Sequence, residues 1–326
     1  MKNRNAVIYA AGWGATIVLT IVDLLWARRA GIGIGQGWPK SAITEISIAF
    51  VASAILYWLA SLDRYRWLTQ AFRCKEVAAA IVYLITIAVW GQAVSIASYL
   101  GTSLDIPTIA SILDRFDTAI GFHWLDAYRW VAAHHSLRIV LAYAYLSAFA
   151  QFFLIGALLA IARRPNDIAE FAVVIFVSSI LLLLVSIPFP AESAFVYYGI
   201  TDPGTSSTVS DFALLRNGTM HVINPYAVQG LVSMPSFHTM LAIFFAYSVR
   251  HVRFVFPVAI ILNGVMIAST ITVGGHYLVD VFAGVVCGVA VILAVRLGLR
   301  RRSSERGAVG WPSPASDTDG SSAAAR

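Results

Sequence analysis

The sequence predicts an all-α, polytopic membrane protein, a bundle of about eight transmembrane helices. Two observations carry that prediction. Of the 326 residues, 59% are hydrophobic and only 12% are charged, about half the ~25% charged fraction of a soluble domain. Most of the surface must therefore face something other than water, in keeping with a mean hydropathy of +0.75. The apolar residues also gather in long runs, and roughly 20 such residues cross a bilayer core as a helix. The net charge of +6 does not point to nucleic acid, because the basic residues sit in short clusters between the runs. Membrane lipids are the expected surroundings, and no nucleic-acid partner is expected.

The runs cover about 6–27, 42–62, 77–100, 136–162, 168–190, 235–250, 254–273 and 276–299. The first follows Lys2 and Arg4, as a signal peptide would. Its apolar run is too long, however, and no small-residue cleavage site precedes Arg28 and Arg29, so it reads as a retained span. Asp23 within it reads as a buried helix–helix contact. The sixth run is the shortest and ends at Arg250. Lys/Arg placement orients the whole. With the N-terminus inside, alternate loops hold Arg64, Arg66, Arg73 and Lys75, then Arg163 and Arg164, then Arg250 and Arg253, and the last span exits into Arg300, Arg301 and Arg302. The loop with Arg28, Arg29 and Lys40 is the exception. Both termini are thus expected in the cytoplasm, with the chain in the cell's inner (plasma) membrane.

Three loops then fall outside. In 101–135, Ile109, Ile112, Leu113, Phe116 and Ile120 recur at helical spacing, followed by Trp124, Tyr128 and Trp130, which predicts a helix lying at headgroup level. The stretch 191–234 is long and polar, and the third loop is the turn at Gly274-Gly275. The chain divides into 1–76, two N-terminal spans with a cytoplasmic loop; 77–302, the main membrane domain; and 303–326, a disordered cytoplasmic tail rich in Ser, Ala, Gly, Pro and Asp. No internal repeat is visible.

The unusual polar residues collect on the outer side. In SMPSFHTMLAI, Pro235 suits a first helical turn and Ser233 a cap before it, which puts His238 beside free backbone N–H groups. In GGHYLVDVFAG, two glycines turn the chain into a helix, and His276 and Asp280 share one helix face. A carboxylate there can accept a proton from one ring nitrogen and leave the other free to attack. A single His at a span end is more often an interfacial polar residue, and a His/Asp pair at this spacing is common. The conjunction of two His-bearing helix starts on one side is what selects chemistry: attack on phosphorus by His276, with His238 protonating the leaving oxygen. The two cysteines, Cys74 and Cys287, lack the spacing of a zinc site, so no metal and no cofactor is expected.

At these residues the chain resembles the type 2 phosphatidic acid phosphatase superfamily. Its second and third signatures, Pro-Ser-Gly-His and Ser-Arg-x5-His-x3-Asp, correspond here to Pro235-Ser236-Phe237-His238 and Ser269-Thr270-x5-His276-x3-Asp280. The resemblance implies a six-helix phosphatase-like core within a catalytic domain over 77–302. It also implies His276 as nucleophile, Asp280 as its orienting partner, His238 as the proton donor and a lipid phosphate as substrate. The chain departs from the family where Phe237 replaces glycine and Thr270 replaces arginine. The first signature, Lys-x6-Arg-Pro, is missing, and PFPAESAFVYYG stands in its place. These departures resemble the branch containing inositol phosphorylceramide synthase, which moves a phosphoinositol headgroup between lipids; bacterial relatives of that branch look similar over most of the chain.

The lost cations leave a phosphate in need of partners. Arg216, alone in the 191–234 loop, is the best candidate, with Ser236 and the Gly275 backbone adding hydrogen bonds and the helix ends adding partial charge. A phosphodiester carries less charge than a monoester and suits a cation-poor site. Asp117 reads as structural before it reads as part of a lipid-headgroup mouth, Glu192 as either closing the site or facing water, His134 and His135 as interfacial, and His221 carries no assignment. The expected function is a lipid phosphatase or phosphotransferase working at the outer face through a phosphohistidine, or a phosphoinositol-type headgroup transferase. A proton-coupled transporter is the first alternative outside enzymes, though such sites sit at mid-membrane between repeats. A non-catalytic membrane scaffold is the other.

Overall fold

The computed structural model describes residues 2–308, and among them the chain is almost wholly helical. Helices α1 (Lys2–Ala30) and α2 (Trp38–Leu59) precede a 3-10 turn at Asp63–Tyr65 and the short α3 (Arg66–Ala71). Then come α4 (Cys74–Thr102), α5 (Ala110–Ala119), α6 (Trp124–Ala133), α7 (His135–Ile161) and α8 (Pro165–Ser186). The chain continues through α9 (Ala194–Tyr197), α10 (Pro203–Arg216), α11 (Phe237–Ser248), α12 (Val255–Thr272) and α13 (Leu278–Ala308). Seven helices, α1, α2, α4, α7, α8, α12 and α13, are long and apolar enough to cross a membrane. Helix α13 runs on to Ala308, through residues expected to begin the tail; the rest of that tail, 309–326, lies outside the described residues.

The eighth expected span is a shorter element. Helix α11 has 12 residues, about 18 Å at 1.5 Å per residue, well below a ~30 Å bilayer core. It begins late because Ser236 is its cap: the Ser236 side chain accepts the Thr239 N–H at 3.4 Å. Pro235 and Ser233, expected in and just before the first turn, instead lie in a non-helical lead-in that bends at Met234 and Pro235, whose peptide is cis. Irregular backbone at depth is tolerated only where the protein satisfies it. Here Ser236 N–H donates to the Asp280 carbonyl at 3.1 Å and Ser233 N–H to the Ala191 carbonyl at 3.3 Å.

The core lies where α4, α7, α8 and α11 meet, around Tyr83, Trp90, Phe171, Phe244 and Phe245. Close helix approach depends on small residues; a Cβ on Gly156 would stand 2.5 Å from the Tyr83 ring. Buried polar pairs tie the helices. Trp90 Nε1 donates to Ser179 Oγ at 2.7 Å, and Asn263 Nδ2 to Gln151 Oε1 at 2.9 Å. Asp23 is fully buried in α1, and neither carboxylate oxygen has a hydrogen-bond partner among the described residues.

Two features of the loops between helices differ from the sequence expectation. A two-residue parallel pairing joins β1 (Gly33–Ile34) to β2 (Val222–Ile223), tying the α1–α2 turn to the segment after α10. The stretch expected as one helix is two, broken at Gly121 with φ +81°. On α5 the residues turned inward are Ala110, Leu113 and Asp117, while Ile112, Phe116 and Ile120 are exposed. Ile112, Phe116 and Ile120 of the apolar stripe therefore face away from the protein, as a membrane-lying helix requires, whereas Leu113 of the same stripe is buried beside the acid.

Candidate active site

The turn between α12 and α13 is built by its glycines. Gly275 has φ +68°, and a Cβ there would stand 2.5 Å from the Phe195 ring, so both the left-handed backbone and the packing demand glycine. His276 N–H then donates to the Thr270 carbonyl at 3.1 Å, and the Gly275 carbonyl accepts the Ala194 N–H at 2.8 Å. Trp124, fully buried on α6, donates from Nε1 to the carbonyls of Ile271 and His276 at 3.0 and 3.1 Å. Its indole is stacked between Tyr128 and Tyr198, at 5.2 and 5.4 Å between ring centres. The loop that carries His276 is thus held from both sides.

His276 is 4% exposed. Its Nδ1 lies 2.9 Å from the Ser233 carbonyl oxygen and 3.6 Å from Asp280 Oδ2. The sequence placed Asp280 as the group that orients the ring. In the structure the carbonyl of Ser233 makes the shorter contact, and Asp280 lies just behind it. Asp280 Oδ2 is occupied by the Ser233 hydroxyl at 2.5 Å and by the Tyr277 N–H at 3.0 Å. The second is the reach-back of a capping box, with Tyr277 as cap and Asp280 at the third helical position. Ser233 and Asp280 together leave His276 Nε2 as the ring atom free to react.

His238 opens α11 and lies flat on Tyr145 of α7, ring centres 4.1 Å apart and planes 21° apart. The same Tyr145 ring borders Gly274, whose Cβ would stand 2.9 Å from it and 3.0 Å from His276 Cδ2. Tyr145 and Gly274 therefore link the neighbourhoods of the two imidazoles; burial, and next the neighbouring His276, push the His238 imidazole down to about 3. His238 thus joins His276 and Asp280, neighbours on one turn some forty residues further along the chain, at one end of the bundle.

The expected phosphate contacts fare differently. Ser236 is fully buried and accepts from Thr239 N–H and Oγ1 at 3.4 and 3.0 Å, which leaves its own proton to donate. The Gly275 N–H has no hydrogen-bond partner among the described residues, nor have the N–H groups of Phe237 and His238 at the start of α11. The start of α13, expected to offer free donors as well, does not. Its first amides are filled by carboxylates: Tyr277 by Asp280, and Leu278 and Val279 by Asp117 at 2.7 and 2.9 Å. Arg216 is also engaged, pairing with Asp105 at 2.8 Å and donating to the Ile106 carbonyl at 2.9 Å, with no hydrogen bond to either histidine. Burial is the main cause pushing the Asp117 carboxyl up, against the two amides that favour its charged form. Burial, and next Asp280, push the Tyr277 phenol well above its ordinary value. Sequence reasoning missed Ser233 as an orienting group, Tyr145 as a platform and Asp117 as a cap, because each acts through a partner distant in the chain.

Fold and site together define a multi-pass helical membrane protein that gathers two histidines and a carboxylate at one end of its bundle. The chain belongs to the PAP2 superfamily, the type 2 phosphatidic acid phosphatases it resembled by motif: the family model matches residues 111–294, more than half its length, from α5 into α13. No curated protein and no solved structure matched the chain. Membership and the membrane-crossing helices together support a phosphatase-type function in a membrane.

Proposed function

We propose that this protein is a lipid phosphatase or phosphotransferase that works at the outer face of the plasma (inner) membrane through a phosphohistidine on His276. The observation that carries the reading is the hold on His276 Nδ1 by the Ser233 carbonyl beside Asp280. A ring whose Nδ1–H is donated keeps its lone pair on Nε2. That nitrogen attacks phosphorus, the P–N bond forms, and the bond from phosphorus to the leaving oxygen breaks. His238, whose burial disfavours the charged ring, is protonated beside the phosphoryl anion, which favours that form, and gives the departing oxygen the proton. Water or a lipid alcohol then attacks the phosphohistidine, returns its proton to His238 and frees His276. Asp280 stabilises the positive charge the ring acquires. Amides of Phe237, His238 and Gly275, with the Ser236 hydroxyl, are the donors available to the phosphoryl oxygens.

A specific observation favours transfer of a phosphorylated headgroup over simple hydrolysis. Among the described residues no lysine or arginine hydrogen-bonds or pairs with His238, Ser236 or His276, and Arg216 is bound to Asp105. A diester, with one negative charge, suits such a site better than a monoester dianion. A phosphoinositol-type headgroup is the candidate the motifs suggest. The orientation rests on the positive-inside rule, since Arg73, Arg163, Arg164 and Arg250 lie at helix ends remote from the histidines.

The test uses the purified protein with two probes: dioctanoyl phosphatidate as monoester, and phosphatidylinositol as diester with a chain-labelled diacylglycerol acceptor, whose conversion to labelled phosphatidylinositol reads the transfer. Turnover of the diester above the monoester is expected, with an acid-quenched phosphoenzyme that His276→Ala does not form. Rapid phosphate release from the monoester alone would overturn the transfer reading. Wild-type turnover by His276→Ala would overturn the nucleophile.

A further inference from the structure

Asp117 is the one fully buried acid of α5, and its two oxygens are spent entirely on another helix. Oδ2 accepts the Leu278 N–H at 2.7 Å and Oδ1 the Val279 N–H at 2.9 Å. These are the first two amides of α13, which the helix itself never satisfies. A carboxylate at that position answers both the missing acceptors and the positive end of the helix dipole. The cap comes from a residue 161 positions away in sequence. It therefore fixes where α13 begins relative to α5, which a local cap would not do.

The position of that beginning matters because His276 and Asp280 flank it. Tyr277 is the hinge between them: its N–H is bound by Asp280, and its ring is buried in the same cluster as Leu113 and Trp124. With Asp117 on the first two amides and Asp280 on the one before, three successive N–H groups are held by two carboxylates. Rotation of this turn would carry the His276 ring away from the Ser233 carbonyl. The filled terminus also closes the helical amides of α13 to an anionic substrate, so a phosphoryl group near His276 is left with the α11 amides, the Ser236 hydroxyl and the Gly275 amide. Helix α5 turns Ile112, Phe116 and Ile120 outward, so the same element that lies against lipid holds the reactive turn.

We infer that Asp117 is a positioning residue, an inter-helix clasp that holds the start of α13 and with it the His276 ring. The catalytic part of this inference rests on the function proposed above; the clasp itself does not. Two measurements on the full-length protein in detergent separate them. The first is hydrogen exchange at the Leu278 and Val279 amides. These have no other acceptor, so Asp117→Asn, which keeps the size but can accept only through one oxygen, is expected to speed exchange at one or both by about tenfold or more. The second is steady-state kinetics on whichever probe the wild type turns over, dioctanoyl phosphatidate or phosphatidylinositol. Here kcat per folded molecule is expected to fall about tenfold or more with KM within about threefold, since misplacement of a reacting group lowers the rate and not the binding. A purely structural role would lower the melting temperature and leave kcat per folded molecule alone. Unchanged exchange at both amides overturns the clasp, and unchanged kcat per folded molecule overturns the positioning role. If the wild type turns over neither probe, the proposed function fails and exchange alone decides the clasp. Should Asp117→Asn not fold, Asp117→Glu carries the same two readouts, with a smaller loss expected because the charge is retained.

Discussion

The hydroxyl of Ser233 donates to Asp280 Oδ2 at 2.5 Å, while the carbonyl of the same residue takes Nδ1 of His276 at 2.9 Å. One residue thus couples the carboxylate to the ring without lying between them in sequence. Ser233→Ala removes the hydroxyl and leaves the carbonyl. We expect kcat to fall about tenfold, the worth of one hydrogen bond to a charged group, with KM unchanged. Asp280→Asn removes the charge that steadies the imidazolium and is expected to cost on the order of a thousandfold or more. Steady-state rates of both variants check this; equal losses would mean that the hydroxyl and the carboxylate act as one unit.

His238 rests on Tyr145 at 4.1 Å between ring centres. Such a contact contributes about 0.5–1.5 kcal/mol beyond area, enough to hold one ring orientation over others. Tyr145→Phe keeps the face and is expected to leave kcat within about twofold, whereas Tyr145→Leu removes it and lowers kcat about tenfold. If His238 is the proton donor, His238→Ala costs about 10²–10⁴ on a lipid alkoxide leaving group. The loss should shrink with a p-nitrophenyl ester, whose leaving oxygen needs no proton. A penalty independent of the leaving group would remove His238 from that role.

Much of this was legible in the sequence, and the physical reason is locality. Span length and apolarity are properties of single runs, and seven of the eight expected runs became helices able to cross a membrane. His276 and Asp280 share a turn, so their spacing alone brought them together. What failed was whatever depended on a distant partner. Ser233 looked like a helix cap because its neighbours suit one; its real partners are 43 and 47 residues ahead. Asp117 looked structural because the eye follows the apolar stripe of α5, yet Ile112, Phe116 and Ile120 of that stripe face outward and the buried face is Ala110, Leu113 and Asp117. The α13 start looked open to anions because nothing in its own sequence shows that a carboxylate from α5 already fills it. The β1–β2 pairing is two residues long on each side, too short to leave any alternation to read.

Gly274 has no room for a side chain. A Cβ would stand 2.7 Å from the Thr270 carbonyl oxygen, 2.9 Å from Tyr145 and 3.0 Å from His276 Cδ2. The backbone oxygen cannot retreat, so the two rings must. Gly274→Ala is expected to destabilise the fold by about 1–3 kcal/mol, as overpacking of a tight site does. It should also lower kcat more than any helix-face Gly→Ala change, such as Gly264→Ala, where nothing lies within 4 Å. Thermal unfolding and kinetics on both variants make the comparison, and equal activity in the two would show that the rings tolerate displacement.

Arg216 is the sharpest test of how this site handles charge. Its guanidinium pairs with Asp105 Oδ1 at 2.8 Å and donates to the Ile106 carbonyl at 2.9 Å, so it pins the end of α10 to the turn after α4. Asp105 is 66% exposed, and an ion pair with so wet a partner contributes about 1 kcal/mol or less. If that is the whole of its work, Arg216→Gln and Asp105→Asn should each lower stability slightly, the double variant should add little to either, and kcat/KM should stay within about threefold. If the guanidinium instead leaves Asp105 to meet the phosphoryl group, the two variants part company. Arg216→Gln would then lose on the order of a hundredfold in kcat/KM, the scale of one charged hydrogen bond made in the transition state, and Asp105→Asn, by freeing the arginine, would lose nothing or gain. Kinetics on the pair therefore decide whether the start of α11 holds the phosphoryl group with amides and a hydroxyl alone.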